Sequence, residues 1–224
     1  MQWNSIIFDL DGVICHTDQY HYQAWKKLAD RLGIYFDEKI NNRLRGVSRM
    51  ESLNIVLERS ENTFTQEQKL QLAEEKNNTY RKLLENITQD DLTAEVRDTL
   101  EELRRRGYQL AIGSSSKNTG MILEHLGLKD FFDAVSDGTN ITRSKPDPEV
   151  FIRAAEFLRA KPQDCLVVED AAAGVDAAKA GGMTAAGIGE AADCQKTDYP
   201  LGRFADLLEI CPLLSGCSDG AGRK

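Results

Sequence analysis

Paired cysteines, long apolar runs and surplus positive charge are all missing from this 224-residue sequence. Its five cysteines stand at 15, 165, 194, 211 and 217, odd in number and without the CxxC or Cys/His spacing of a structural zinc site. That usage points to a reducing compartment, so the expected location is cytoplasmic. Polar Gln2, Asn4 and Ser5 precede only Ile6-Ile7-Phe8, a run too short for a secretory leader or a membrane span. The balance of 28 basic against 36 acidic side chains leaves a formal net charge of −8, which repels nucleic-acid phosphate and anionic lipid. Arg104, Arg105 and Arg106 read as a solvated helix end, so neither nucleic acid nor membrane is an expected partner. The 41% apolar and 29% charged residues that remain suit a soluble chain able to bury a large core.

Three apolar runs, Ile6 to Phe8, Gln109 to Ile112 and Cys165 to Val168, end at polar residues or glycine and predict buried parallel strands. Between them Val96, Leu100 and Leu103 recur at helical spacing and stop at Gly107, while Asp147-Pro148 has the form of an N-cap and N1 pair. Alternation of strand and helix from about residue 95 to 190 predicts an α/β fold, an open Rossmann-like parallel sheet covered by helices on both faces. From about Thr17 to Gln89 the pattern is helical only. Trp25, Leu28 and Leu32 share a face there, and Thr65 with Gln68 forms a capping box ahead of a Leu70, Ala73, Asn77, Tyr80, Leu84 stripe. The expected division is a core over 1–16 and 90–212, an inserted bundle of about four helices over 17–89, and a disordered tail over 213–224, rich in Gly and Ser.

Ligands of open α/β sheets bind beyond the carboxyl ends of the strands, which directs attention to residues that follow the apolar runs. Four such places occur: Asp9-Leu10-Asp11-Gly12, the loop Ser114, Ser115, Ser116, Lys117, Asn118, then Ser144-Lys145-Pro146, and Glu169-Asp170. Together they offer carboxylates, one lysine and a hydroxyl- and amide-rich loop that opens a helix. A few carboxylate oxygens without His or Cys match magnesium, which keeps its other positions for water and phosphate. Ser114 and the amides after it are expected to receive phosphate oxygens, with Lys145 a point charge on the transferring group. Asp9 then suits a nucleophile, and Asp11 an acid and base at the leaving and accepting oxygens. Taken singly each has an ordinary reading: a turn or a calcium loop for Asp9 to Gly12, a Ser-rich loop, a Lys-Pro turn, a helix cap at Glu169-Asp170. The preceding strand and the missing downstream Glu disfavour the calcium loop.

In this order the four places resemble the four motifs of the haloacid dehalogenase superfamily, over roughly residues 5 to 190. The helical insert looks like that superfamily's α-helical cap. Within it His21-Tyr22-Gln23-Ala24-Trp25, Arg45-Gly46-Val47-Ser48-Arg49 with Ser52, and Lys76-Asn77 are similar to the β-phosphoglucomutase family, as are Ser116-Lys117-Asn118. The resemblance implies an Asp9 that becomes phosphorylated, and magnesium held by Asp9, the Asp11 carbonyl, Glu169 and Asp170. It implies a sugar-phosphate substrate, with β-glucose 1,6-bisphosphate as activating intermediate. Arg49 with Ser116 and Asn118 would hold the distal phosphate, Arg45, Gly46, Val47, Ser48, Ser52 and Lys76 would line the sugar pocket, and His21 would couple cap closure to Asp11.

For the cap residues blander readings stand beside these. Lys76 lies in a run of charge of the kind that is usually solvated, His21 could be a core or hinge histidine, and Arg49 could pair with Glu51 or Glu58. His16, Met50 and Thr93-Ala94-Glu95 depart from the family pattern, the last replacing a Pro-Gly turn ahead of a core helix. A phosphatase using water as acceptor, and a sugar-phosphate sensor without turnover, are the competing functions. A monomer is the expected working form.

Overall fold

The computed structural model describes residues 3–215. Strands β1 (Ser5–Phe8), β2 (Gln109–Gly113), β3 (Ala134–Ser136), β4 (Cys165–Glu169), β5 (Thr184–Ile188) and β6 (Tyr199–Leu201) form one parallel sheet in the order β3-β2-β1-β4-β5-β6. The three apolar runs are its middle, and Ile6 and Phe8 face one core cluster while Ile7 faces the other, as the two-residue period of a strand requires. Helices α5 (Ala94–Arg105), α6 (Thr119–His125) and α9 (Leu207–Ile210) contribute to the first cluster. The second is built with α7 (Glu149–Leu158) and α8 (Ala172–Ala180).

Helices α1 (Asp18–Arg31), α2 (Glu38–Asn42), α3 (Arg49–Leu57) and α4 (Gln66–Leu84) lie between β1 and β2 in the chain, an insert with its own core of Trp25, Leu28, Phe36, Leu53 and Leu72. The Thr65–Gln68 capping box starts α4. Of the stripe behind it, Ala73, Asn77, Tyr80 and Leu84 are buried, but Leu70 is 54% exposed, because it lines the open cavity between insert and core rather than packing into either.

Thr93, where the sequence departs from a Pro-Gly turn, accepts from Val96 N at 3.2 Å and caps α5. Not all of the basic triplet at the other end is solvated. Arg105 pairs with Glu102 on the surface, whereas Arg106 turns inward and Nη1 donates to the Leu208 and Cys211 carbonyls, 2.6 Å each. Tyr108 Oη donates to the Pro212 carbonyl at 2.9 Å, and Leu214 N donates to Arg106 O at 3.0 Å. Residues 216–224 of the expected tail, with Cys217, lie outside the described residues. Among the described residues no helix is long and apolar enough to cross a membrane.

Candidate active site

Asp9 and Asp11 follow β1, the 114–118 loop follows β2 and Glu169-Asp170 closes β4, so neighbouring parallel strands deliver all of them to one sheet edge. Lys145 is buried at its centre. Its Nζ contacts Asp9 Oδ1 and lies 2.5 Å from Glu169 Oε1, while Glu169 Oε2 accepts from the amides of Asp170 (3.0 Å) and Ala171 (3.1 Å). Two glycines make room for these carboxylates. A Cβ at Gly174 would stand 1.9 Å from Glu169 Cδ, and one at Gly12, where φ is +88°, 2.1 Å from Asp170 Oδ2.

Carboxylate oxygens of Asp9, Glu169 and Asp170 lie within 4.8 Å of one another. Burial pushes Asp9 up to about 7, against Lys145, which lowers it by more than Glu169 raises it. Asp170 rises to about 8 through burial and the charges of Glu169 and Asp9, and Asp11 to about 8 through burial and Asp9. Burial works against the Lys145 charge, but Asp9 and Glu169 hold its pKa above the ordinary lysine value. Three buried carboxylates with one lysine are short of positive charge, and their all-oxygen donor set fits a hard divalent cation such as magnesium. Asp11 Oδ1 accepts from Thr17 Oγ1 at the root of α1.

All of the site residues named from the sequence line a single cavity of about 560 Å³ between core and insert. Several make the junction itself: Asn118 Nδ2 donates to Asn77 Oδ1 at 3.0 Å, and Ser115 Oγ to the Gly46 carbonyl at 3.4 Å. Arg45 Nη2 reaches Asp18 Oδ2 (2.7 Å) and Asp170 Oδ2 (2.6 Å). Lys76 is 4% exposed, which overturns its reading as a solvated charge. Nζ sits over the rings of Trp25 (4.8 Å) and Tyr80 (4.5 Å) and 3.0 Å from His21 Nδ1, a geometry in which neutral imidazole accepts from the ammonium. Burial and the nearby Arg49 lower Lys76 to about 7; burial and Lys76 push His21 well below the usual histidine range. The hydroxyl that touches Asp11 is that of Thr17, whereas His21 stacks on Tyr80 with ring centroids 4.0 Å apart.

Arg49 pairs with Glu74 at 3.4 Å rather than with Glu51 or Glu58, and Glu58 is taken by Arg43 at 2.7 Å. Ser48 also has a local task, since its side chain accepts from Glu51 N and caps α3. Lys117 is exposed at the rim. Within the 114–118 loop, Ser114 Oγ and Ser116 Oγ accept from the amides of Ser116 and Asn118, both at 3.2 Å, so these two amides are engaged within the loop. Thr17, Asp18 and Glu74 were not legible as site residues. An acidic residue at the start of α1 has the signature of a helix-dipole partner, and only the long-range contact to Arg45 marks Asp18 out.

Residues 3–182 match the family of haloacid dehalogenase-like hydrolases. The chain is 38% identical over 205 residues to the β-phosphoglucomutase of Bacillus subtilis, covering 91% of each. It is 31% identical to a phosphorylated carbohydrates phosphatase of Thermotoga maritima, covering 80% of this chain and 82% of that one. The solved β-phosphoglucomutase of Clostridium difficile superposes with a TM-score of 0.87 at 39% identity, covering 92% of this chain and 93% of that one. Sheet order, helical insert, the buried aspartate-lysine centre and these similarities agree: the chain belongs to the haloacid dehalogenase-like hydrolase family.

Proposed function

We propose that this chain is a magnesium-dependent β-phosphoglucomutase that interconverts β-D-glucose 1-phosphate and D-glucose 6-phosphate through β-glucose 1,6-bisphosphate. One observation carries the reading: the cavity joins the Asp9–Lys145 centre of the core to Arg49 and Lys76 of the insert, two anion-binding ends for a substrate with two phosphates. The similarity to two β-phosphoglucomutases over nine-tenths of the chain supports it.

Asp9, Glu169, Asp170 and the Asp11 carbonyl would hold Mg2+, whose charge screens the repulsion between carboxylate and phosphate. Asp9 Oδ attacks the C1 phosphorus of the bisphosphate, the P–O bond to C1 breaks, and glucose 6-phosphate leaves. Asp11, held protonated by its surroundings, gives its proton to that departing oxygen. In the other half of the cycle it takes the proton of the C6 hydroxyl of β-glucose 1-phosphate, which receives the phosphoryl group from Asp9. Lys145 and Ser114 steady the transferring group, and Arg49, Ser116 and Asn118 hold the phosphate at the far end of the sugar. With the insert closed, water is kept from the phospho-aspartate until the sugar hydroxyl is aligned.

The test is to incubate the protein with magnesium, β-glucose 1-phosphate and a trace of glucose 1,6-bisphosphate, following glucose 6-phosphate and inorganic phosphate together. Fast isomerisation that rejects the α anomer, with little phosphate, is the expected result. Phosphate release without isomerisation would make the chain a sugar-phosphate phosphatase, the reading favoured by its similarity to the Thermotoga maritima protein.

A further inference from the structure

Arg45 lies in the turn between α2 and α3, yet its guanidinium spans the junction of insert and core. Nη2 donates to Asp18 Oδ2 at the start of α1 and to Asp170 Oδ2 beyond β4, while Nη1 stands 3.7 Å from Glu190 Oε1 after β5. The residue after it lets the chain turn there, in a backbone conformation that favours glycine. Gly46 takes φ +75°, and a Cβ there would already touch the Ala173 methyl at 3.4 Å.

Asp170 is also one of the three carboxylates that fit a divalent cation, and its Oδ2 is pressed against the Gly12 turn as well as bonded to Arg45. Its charge cannot serve two cationic partners in full. With all three ionised, as a bound cation requires, Asp9, Glu169 and Asp170 set against Lys145 leave two negative charges, which a divalent ion matches. With Arg45 engaged, one remains.

We infer that Arg45 is a charge-sensing latch, competing with the divalent cation for Asp170 when the insert is closed, so that the cation binds the open protein more tightly. A dianionic phosphoryl group entering with substrate restores the negative charge that draws Arg45 back. Arg45 is in these terms a positioning residue, acting through Asp170 on closure. Linkage makes the competition reciprocal: the factor by which the closed latch weakens the cation is the factor by which the cation weakens the latch. The inference rests on the cation site of the proposed function and holds for mutase and phosphatase alike.

The experiment titrates Mn2+ alone into the full chain and reads free Mn2+ by electron paramagnetic resonance, for wild type, Arg45→Met, Arg45→Gln and Arg45→Lys. Removing the charge is expected to tighten Mn2+ binding about tenfold in both neutral variants, the scale of one unit charge acting on a divalent ion across a partly solvated site. Arg45→Lys, which keeps the charge, is expected to stay within about threefold of wild type. In small-angle scattering the wild type should expand with Mn2+ and contract when inorganic phosphate is added, whereas the neutral variants start expanded. Equal or weaker Mn2+ binding by whichever neutral variant keeps a native circular dichroism spectrum would overturn the latch. Failure of every form, wild type included, to bind Mn2+ would overturn the cation site beneath it, a different result from equal binding.

Discussion

Asn118 in the core donates from Nδ2 to Asn77 Oδ1 on α4 of the insert, 3.0 Å away. The bond exists only while the two parts are together, so its loss weakens closure rather than the folding of either. Asn77→Ala is expected to give up about 1 kcal/mol of closure. Phosphoenzyme hydrolysis, followed as inorganic phosphate, should rise by roughly fivefold relative to isomerisation. An unchanged ratio would mean that the contact does not hold the insert shut.

Asp9→Asn removes the nucleophilic oxygen while keeping the side chain's size. Phosphoenzyme, detected by intact mass after an acid quench, should fall to background in a protein that still melts cooperatively. Full turnover by this variant would transfer the nucleophile's role to another group.

Gly174→Ala would drive a methyl group into Glu169, whose carboxylate holds Lys145 and two amides. Overpacking of this kind costs about 1 to 3 kcal/mol. The expected outcome is a folded protein with a lowered urea midpoint and weakened Mn2+ binding. Wild-type values for both would show that Glu169 moves aside freely.

The buried Lys76 gives stability a pH dependence of definite sign. Its pKa falls from 10.5 in the unfolded chain to about 7 in the fold, the ring faces of Trp25 and Tyr80 opposing part of the burial cost. Between those values the unfolded chain holds a proton that the folded chain has lost, so this contribution rises with pH through the window, and below about 7 the penalty is complete. Urea denaturation at pH 7 and 9 should show the rise in wild type and a smaller one in Lys76→Met. The variant is expected to gain about 2 kcal/mol at neutral pH. Parallel curves would place the lysine charge in a better-solvated setting.

Thr93→Ala deletes the acceptor for Val96 N at the start of α5 and should cost about 1 kcal/mol, read from urea denaturation without change in activity.

Central strands and motif residues were legible because each signal is local: an apolar run ending in Asp9, another ending in Gly113, a third ending in Glu169. The edges of the sheet were not. β3 and β6 have three residues each and β5 is Thr-Ala-Ala-Gly-Ile, too short or too low in β-branched residues to stand out. The insert's helices could be read from their period and caps, but the partners of their charges could not. Lys76 looks like surface in its Glu74-Glu75-Lys76 run, and only packing against α1 encloses it between aromatic rings; Arg49 finds Glu74 on another helix instead of its sequence neighbours. Periodicity tells which face is buried, not which long polar side chain reaches across a junction.

The tie between Arg106, Tyr108 and the segment 208–214 includes four main-chain atoms, the carbonyls of Leu208, Cys211 and Pro212 and the amide of Leu214, beside the Cys211 thiol that Trp3 and Tyr108 also reach. At Pro212 and Leu213, whose side chains are exposed, such a clasp reads the path of the chain and not the side chain. Exposed positions of that segment, Pro212 and Leu213 among them, are therefore open to randomisation or to grafted reporter sequences, provided the carbonyls keep their places.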